Sequence, residues 1–235
     1  MKISTAVSTL LTSLYAVYKG ESNANDSLAT YNGTAQGGLT YSGGKSGNAF
    51  TFNGSNAYIQ LPTDSLNSLT GNFSVSFWVY FTDLSNNSVI QSTLSNYATN
   101  GVNEWGFVCY TIGNQMIFYI AQGTPGGVTL KDSAIGSINT WYNYTFVRKS
   151  GTSSKIYKNG DLVVSNSSNV NPVYSSTNMT PSIGVINNGP LLSNLLQYYM
   201  RSGGMIDELN IWNKELTSTE VTELYNAGTG KFYPY

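Results

Sequence analysis

The sequence contains no histidine and a single cysteine in 235 residues. Without histidine, neither a Ser-His-Asp nor a Cys-His centre can be built, and a zinc site using imidazole is excluded as well. One cysteine cannot form an intramolecular disulfide. Cys109 lies between Val108 and Tyr110 in an apolar run and is expected to be a small core residue. Charge is scarce too: 10% of residues are Asp, Glu, Lys or Arg, against about 25% in an average protein, so Asn, Ser, Thr, Gln and Tyr must carry solubility. The Lys and Arg residues are scattered and the net charge is −1, which leaves no basic patch for nucleic acid. The pair Arg148 and Lys149 is expected in water at a strand end. No run approaches the ~18–20 consecutive apolar residues of a membrane span.

The opening stretch, MKISTAVSTLLTSLYAVY, has a lysine followed by a semi-apolar run, as a secretory signal would. Ser and Thr interrupt it throughout and no small-x-small cleavage site follows, so an unprocessed start at Met1 is expected. Ile3, Val7, Leu10, Leu11 and Leu14 fall at helical spacing. They predict a short arm or amphipathic helix over residues 1–13, leading into a strand at about Leu14 to Lys19. An ordered start would point to contact with a partner chain.

What is abundant is β pattern. With 40% hydrophobic and 13% aromatic residues, a chain of this length can bury one large core, and one domain over residues 14–235 is expected. In FSVSFWVYF, Phe73, Val75, Phe77, Val79 and Phe81 share one face and Ser74, Ser76, Trp78 and Tyr80 the other. Further strands are expected at Ser88–Leu94, Gly106–Tyr110, Met116–Ala121, Trp141–Arg148, Lys155–Lys158, Leu162–Ser165 and Pro181–Ile186. Lys158-Asn159-Gly160-Asp161 is a type I′ hairpin signal, and the runs AFTFNG and AYIQL are expected to form another hairpin across Asn53–Asn56. Asn96–Glu104, Gly123–Gly136 and Asn187–Gly204 are expected to be long loops. The leucines and tyrosines of PLLSNLLQYYM in the last of them must cover the sandwich or meet another subunit. The pattern predicts an all-β fold of two packed antiparallel sheets.

From Met205 to Trp212 the alternation puts Met205, Asp207, Leu209 and Ile211 on one face and Ile206, Glu208, Asn210 and Trp212 on the other. After Leu216 the period changes to 3.6. Thr217 can cap a helix with Glu220 at its third position, a capping box, and Leu216 can staple onto Val221. This short helix is expected to run to about Ala227 and stop at Gly228.

A strand IDEL-x-IW followed by a helix ending in Asn-Ala-Gly resembles the C-terminal signature of laminin-G-like, concanavalin A-like jelly-roll domains. Residues 16–62 continue the resemblance with the turn G-x-x-N-A-x-D, an N-G-T strand, the run G-K-x-G-x-A-F-x-F-x-G and the strand Y-I-x-L-P. The resemblance covers nearly the whole chain and implies a two-sheet antiparallel jelly-roll sandwich with one short C-terminal helix. It also implies a structural Ca²⁺ where the N-terminal loop meets the last strand, with Asp26, Asp207 and a backbone oxygen near Gly47 as ligands.

Read from the residues alone, Asp207 on a core-facing register needs a partner. A hard cation such as Ca²⁺ and a set of backbone N–H groups are both open. Glu208 is expected to be a surface acid. Retaining glycosidases need two carboxylates about 5–5.5 Å apart, which on one strand means acids at i and i+2 or i+4, and no such spacing occurs. No catalytic set is therefore expected. Sugar binding has more material: rings at Trp78, Tyr80, Tyr97, Trp105 and Tyr110 could stack on sugar faces, with Asn and Gln bonding hydroxyls, although a strand tryptophan also serves as core. The expected function is a non-enzymatic virion protein, a bacteriophage decoration, fibre or tail component on the particle surface. It would adhere to surface glycans and contact other virion proteins or copies of itself. The alternative is a bacterial extracellular carbohydrate-binding or adhesion module, and a glycoside hydrolase or lyase ranks third.

Overall fold

The computed structural model describes residues 8–92, 105–122, 127–168, 170–173, 180–186 and 198–235. Two antiparallel sheets face each other. The first runs, neighbour to neighbour, through β13 (Asp161–Asn166), β12 (Ser153–Lys158), β11 (Trp141–Lys149), β6 (Phe73–Tyr80), β17 (Met205–Trp212), β4 (Asn48–Thr51) and β3 (Thr40–Gly43), with β1 (Leu14–Tyr18) also paired to β17. The second runs through β10 (Gly127–Asp132), β9 (Gln115–Gln122), β8 (Trp105–Ile112), β7 (Ser88–Gln91), β14 (Ser182–Ile183), β5 (Tyr58–Gln60) and β2 (Thr34–Gln36). A small pair, β15 (Val185–Ile186) with β16 (Tyr198–Tyr199), one α-helix, α1 (Ser218–Tyr225), and two 3₁₀ turns, Thr9–Leu11 and Asn226–Gly228, complete the described elements. The expected jelly-roll sandwich is present.

The alternation of β6 sets the core. Phe73, Val75, Phe77 and Val79 are fully buried between the sheets, where they meet Phe107, Phe118 and Phe146. The Phe73–Phe107 and Phe118–Phe146 ring centroids are both 4.9 Å apart. Each such side chain contributes about 1.5–3 kcal/mol on leaving water. Cys109 belongs to this core, as expected, and burial pushes its thiol pKa well up. Strand β17 sits centrally: β6 lines one edge, while the other edge is shared by β4, at Met205 and Ile206, and by β1, from Leu209 to Trp212.

The Asn159-Gly160 turn adopts left-handed φ values of 51° and 84° and joins β12 to β13, as its sequence signals. The capping box forms: Glu220 N–H donates to Thr217 Oγ1 at 3.2 Å and Thr217 N–H to Glu220 Oε2 at 2.8 Å. Burial raises the Glu220 pKa, but the Lys214 ammonium and the Thr217 and Thr9 donors outweigh it and hold the carboxyl at about 2. Leu216, Val221 and Leu224 pack with Trp212 and Leu10, so the helix lies on the outer face of the first sheet.

Several expectations need correction. The runs AFTFNG and AYIQL do not pair: β4 belongs to the first sheet and β5 to the second. Asn53 Oδ1 accepts the N–H groups of Ser55, Asn56 and Ala57, so the tight turn leads the chain across the sandwich instead of back along it. Within the stretch expected as a loop from Gly123 to Gly136, GVTLKD forms β10 with strictly alternating burial. The helix ends at Tyr225, because Asn226 takes the left-handed position expected of Gly228. The described part of the N-terminal arm is a single 3₁₀ turn, Thr9–Leu11, with Leu10 buried. Arg148 is not in water. It shares the inward face with Tyr144 and Phe146 and is fully buried, and its guanidinium donates to Ser153 O at 2.8 Å and Asn171 Oδ1 at 2.6 Å.

Candidate functional site

The last strand carries the acids, and a β-bulge decides where they point. Asp207 pairs with Trp78 and the next register is Asn210 with Ser76, so Glu208 and Leu209 together oppose Phe77 alone. Glu208 takes φ 48°, a left-handed value that non-glycine residues rarely adopt. The extra residue returns Leu209 and Ile211 to the core beside Ile206. Asp207 and Asn210 lie on the outer face with Trp78 and Ser76. Strict alternation, which put Asp207 on the face of Leu209 and Ile211, fails across this bulge. The expectation that Glu208 is a surface acid is also corrected: it is 2% exposed.

Asp207 reaches the turn before β4, where Ser46 N–H donates to its Oδ2 at 2.9 Å. Burial raises its pKa to about 7 against the pull of that donor, with the Glu21 carboxylate adding to the rise. Glu208 is pushed up to about 8, first by burial and then by Asp207, with Lys19 opposing. The turn is tight: a Cβ on Gly44 would meet Asp207 Oδ2 at 2.6 Å, and one on Gly47 would meet the Glu21 carboxylate at 2.4 Å.

These contacts test the implied calcium ligands. Gly47 and Asp207 are brought to one corner, and Asp207 Oδ1 is buried with no hydrogen-bond partner among the described residues, as a cation ligand would be. Asp26 does not join them. Its Oδ1 accepts Val17 and Leu28 N–H and its Oδ2 accepts Thr30 and Tyr31 N–H, and its backbone bridges to Tyr18. Tyr18 in turn pairs with Leu209, so the width of β1 separates Asp26 from the last strand. Asp26 works as an organiser of the loop from Gly20 to Asn32, and the carboxylate beside the Gly47 turn is Glu21. Among the described residues no group of three acidic, histidine or cysteine side chains is placed to hold a metal.

The aromatic candidates within the described residues divide between the two sheets. Trp78 and Tyr80 are on the outer face of the first sheet. Trp78 is 3% exposed, with the Tyr225 ring stacked at 5.9 Å and Lys45 Nζ 4.5 Å from its centroid, so the helix and the turn cover it. Tyr80 is half-buried against Trp141, at 5.5 Å. Trp105 and Tyr110 belong to β8 in the second sheet, and Tyr97 lies outside the described residues. Tyr110 packs with Tyr119 around Val108 and Ile186 on the outer face of that sheet. A Cβ on Gly127 would strike the Tyr119 ring at 2.6 Å, so that ring reaches across to β10. On the same outer face, Tyr58 and Tyr199 form a tilted pair at 6.4 Å, with Gln60 two residues beyond Tyr58. Tyr58, Tyr119 and Tyr199 were not singled out from sequence. The signal for Tyr119 was its position opposite the inward Phe118 and Ile120, whereas the pairing of Tyr58 with Tyr199 is purely tertiary.

A family model described as the concanavalin A-like lectin/glucanases superfamily matches residues 53–222. Among solved structures, domain 4 of AbnA, a GH43 extracellular arabinanase from Geobacillus stearothermophilus solved with arabinotriose, is 21% identical with a TM-score of 0.65. The match covers 93% of this chain and 98% of that one. The binding domain of botulinum neurotoxin DC in complex with SialylT is 17% identical with a TM-score of 0.66, over 92% of this chain and 52% of that one. The receptor-binding domain of the botulinum neurotoxin C/D mosaic serotype is 18% identical with a TM-score of 0.67, over 91% and 51%. The chain thus spans about half the length of the neurotoxin domains it matches. At these identities the likeness establishes the fold. No curated protein sequence matches the chain.

Proposed function

Because the chain belongs to the concanavalin A-like lectin/glucanases superfamily, we propose that it is a non-enzymatic, lectin-like protein that adheres to surface glycans, acting as a decoration, fibre or tail component of a bacteriophage particle. The observation that carries the binding role is the outer face of the second sheet, which carries two sets of half-buried rings, Tyr110 with Tyr119 and Tyr58 with Tyr199, the second beside Gln60 on the same strand as Tyr58. Partly buried aromatic rings are held still by their packing, which suits a ring to stacking on a sugar. The bound oligosaccharide of the arabinanase domain and the SialylT complex of the neurotoxin domain are consistent with this use of the fold. Binding without hydrolysis is supported by the burial of Asp207 and Glu208, at 0% and 2% exposure, since a catalytic pair must reach the scissile bond. The low charge and the abundance of Asn, Ser, Thr, Gly and Tyr support a particle-surface setting.

Calcium enters this reading as a structural ion at the corner between Asp207, Glu21 and the Gly47 turn, where it would offset two neighbouring carboxylates and fix the loop to the last strand. A second reading, a bacterial extracellular carbohydrate-binding module, is favoured by the likeness to the arabinanase domain along 98% of its length.

A glycan array run with and without EDTA, paired with mass spectrometry of purified particles, tests the proposal. Tyr119→Ala is expected to weaken the preferred glycan about tenfold, the worth of one stacked ring. Presence in virions selects the first reading over the second, and release of reducing ends from a polysaccharide would overturn both.

A further inference from the structure

At the β2 end of the second sheet, the register gathers polar side chains around one of the two ring sets. Thr34 lies opposite Gln60 and Gln36 opposite Tyr58, and paired residues of antiparallel strands share a face. Ile59, between Tyr58 and Gln60, is in the core, so these four stand on the outer face. They mark the corners of a patch about 5 Å across the strands and about 7 Å along them. Tyr199 of β16 borders it, its ring centroid 6.4 Å from that of Tyr58 and inclined at 47°.

The polar groups of this patch are unspent. Among the described residues no hydrogen bond reaches the Gln36 or Gln60 amide, the Thr34 hydroxyl or the Tyr58 phenol. Gln36, Tyr58 and Gln60 are half-buried and Thr34 is exposed, so packing restricts them without enclosing them. Charge is missing as well. Strands β2, β5, β14 and β16 contain no Asp, Glu, Lys or Arg, and neither does the sequence between Ile186 and Tyr198. Arg201, the nearest cation along the chain to Tyr199, already has an acid beside it: the Asp83 carboxyl is held below its ordinary pKa first by its bonds from Ser85 and also by the Arg201 charge.

We propose that this patch is the subsite that selects an uncharged sugar residue, an inference that rests on the lectin-like reading above. Tyr58 and Tyr199 supply ring surface for the C–H face of the sugar. Each glutamine amide both donates and accepts, as does the threonine hydroxyl, and sugar hydroxyls do the same, so either partner can adjust to the other. A uronic or sialic acid would bring a carboxylate that must shed water here and would find no Lys or Arg in the patch for a charge-assisted bond. The Tyr110 and Tyr119 rings pack instead around Val108 and Ile186. They add ring area in apolar company, and the choice between neutral and acidic sugars falls to the patch at Tyr58.

The test is an array of neutral hexose oligosaccharides, each beside the uronic acid form made from it by oxidising C6 to a carboxylate, probed with the full chain. The unsubstituted protein is expected to bind the neutral member of a pair about tenfold more tightly. Tyr58→Ala should weaken neutral binding about tenfold, and Gln36→Ala and Gln60→Ala about two- to tenfold each, the worth of one hydrogen bond. Gln36→Arg should narrow or reverse the preference by giving the carboxylate a partner. Acidic members bound as tightly as neutral ones, or neutral binding that Tyr58→Ala and both glutamine changes leave intact, would overturn the proposal. If those three changes do nothing while Tyr119→Ala weakens binding, the lectin-like reading stands and this subsite falls. A chain that binds no member of the array overturns both.

Discussion

The two faces of the first sheet are buried alike and built differently. Toward the second sheet stand Phe73, Phe77 and Phe146, all inaccessible to solvent. Toward α1 stand Ser74, Ser76, Asn143, Thr145, Glu208 and Asn210, with at most 3% exposure. On the second face small hydroxyls act as mortar. Thr145 Oγ1 donates to Ser76 Oγ at 2.9 Å, Ser74 Oγ donates to Lys214 O at 2.9 Å, and Leu216 N–H donates to Ser74 Oγ at 3.0 Å, anchoring the approach to the helix. The contrast shows that burial does not require an apolar side chain, provided that each polar atom finds a partner. It also isolates the few with no partner among the described residues, on Asn143, Glu208 and Asn210.

Breaking the apolar side should cost most. Phe146→Ala removes a ring stacked among Phe77, Phe118 and Tyr144 and is expected to lose about 3–5 kcal/mol in denaturant unfolding. The polar side should instead show itself through pH. Asp207 and Glu208 have folded pKa values raised to about 7 and about 8, so the native state holds protons that the unfolded chain has released above about pH 4. Stability without divalent cations should therefore be greatest near pH 4 and fall as the pH rises to 8. Glu208→Gln, neutral throughout, should match the parent near pH 4, exceed it at pH 8, and remove at most about 1.4 kcal/mol per pH unit of the slope. A parent whose melting temperature rises from pH 5 to 8 would contradict the burial assigned to this pair. Ser74→Ala should cost about 1–3 kcal/mol, because it strands both the Leu216 N–H and the Lys214 carbonyl, whereas an exposed serine would show almost nothing. The smallest effect is expected from Thr217→Ala, about 1 kcal/mol for a lost cap, read by the same unfolding curves.

Sequence pattern reached the elements better than their pairings. Local chemistry alone signals β17, the Asn159-Gly160 turn and the Thr217–Glu220 capping box, because each depends on neighbours within a few residues. The AFTFNG and AYIQL runs look like a hairpin by the same local logic, yet the two strands enter different sheets. A polar turn does not say whether the chain folds back on itself or crosses over. Among the site residues, Trp78 and Tyr80 could be put correctly on the non-core face of β6. That Tyr225 and Lys45 cover Trp78 depends on elements far along the chain.

By itself, then, the sequence determined an all-β sandwich closed by one capped helix, since alternation, turn residues and caps act through short-range sterics and hydrogen bonds. Tertiary structure alone decided the direction of Asp207 and Glu208, the company of Asp26 and the gathering of Asn143, Asn210 and Glu208 in one cleft. The reason is the single residue inserted at the bulge: it changes the face of every side chain on one side of it, and only the pairing of β17 with β6 shows where it falls.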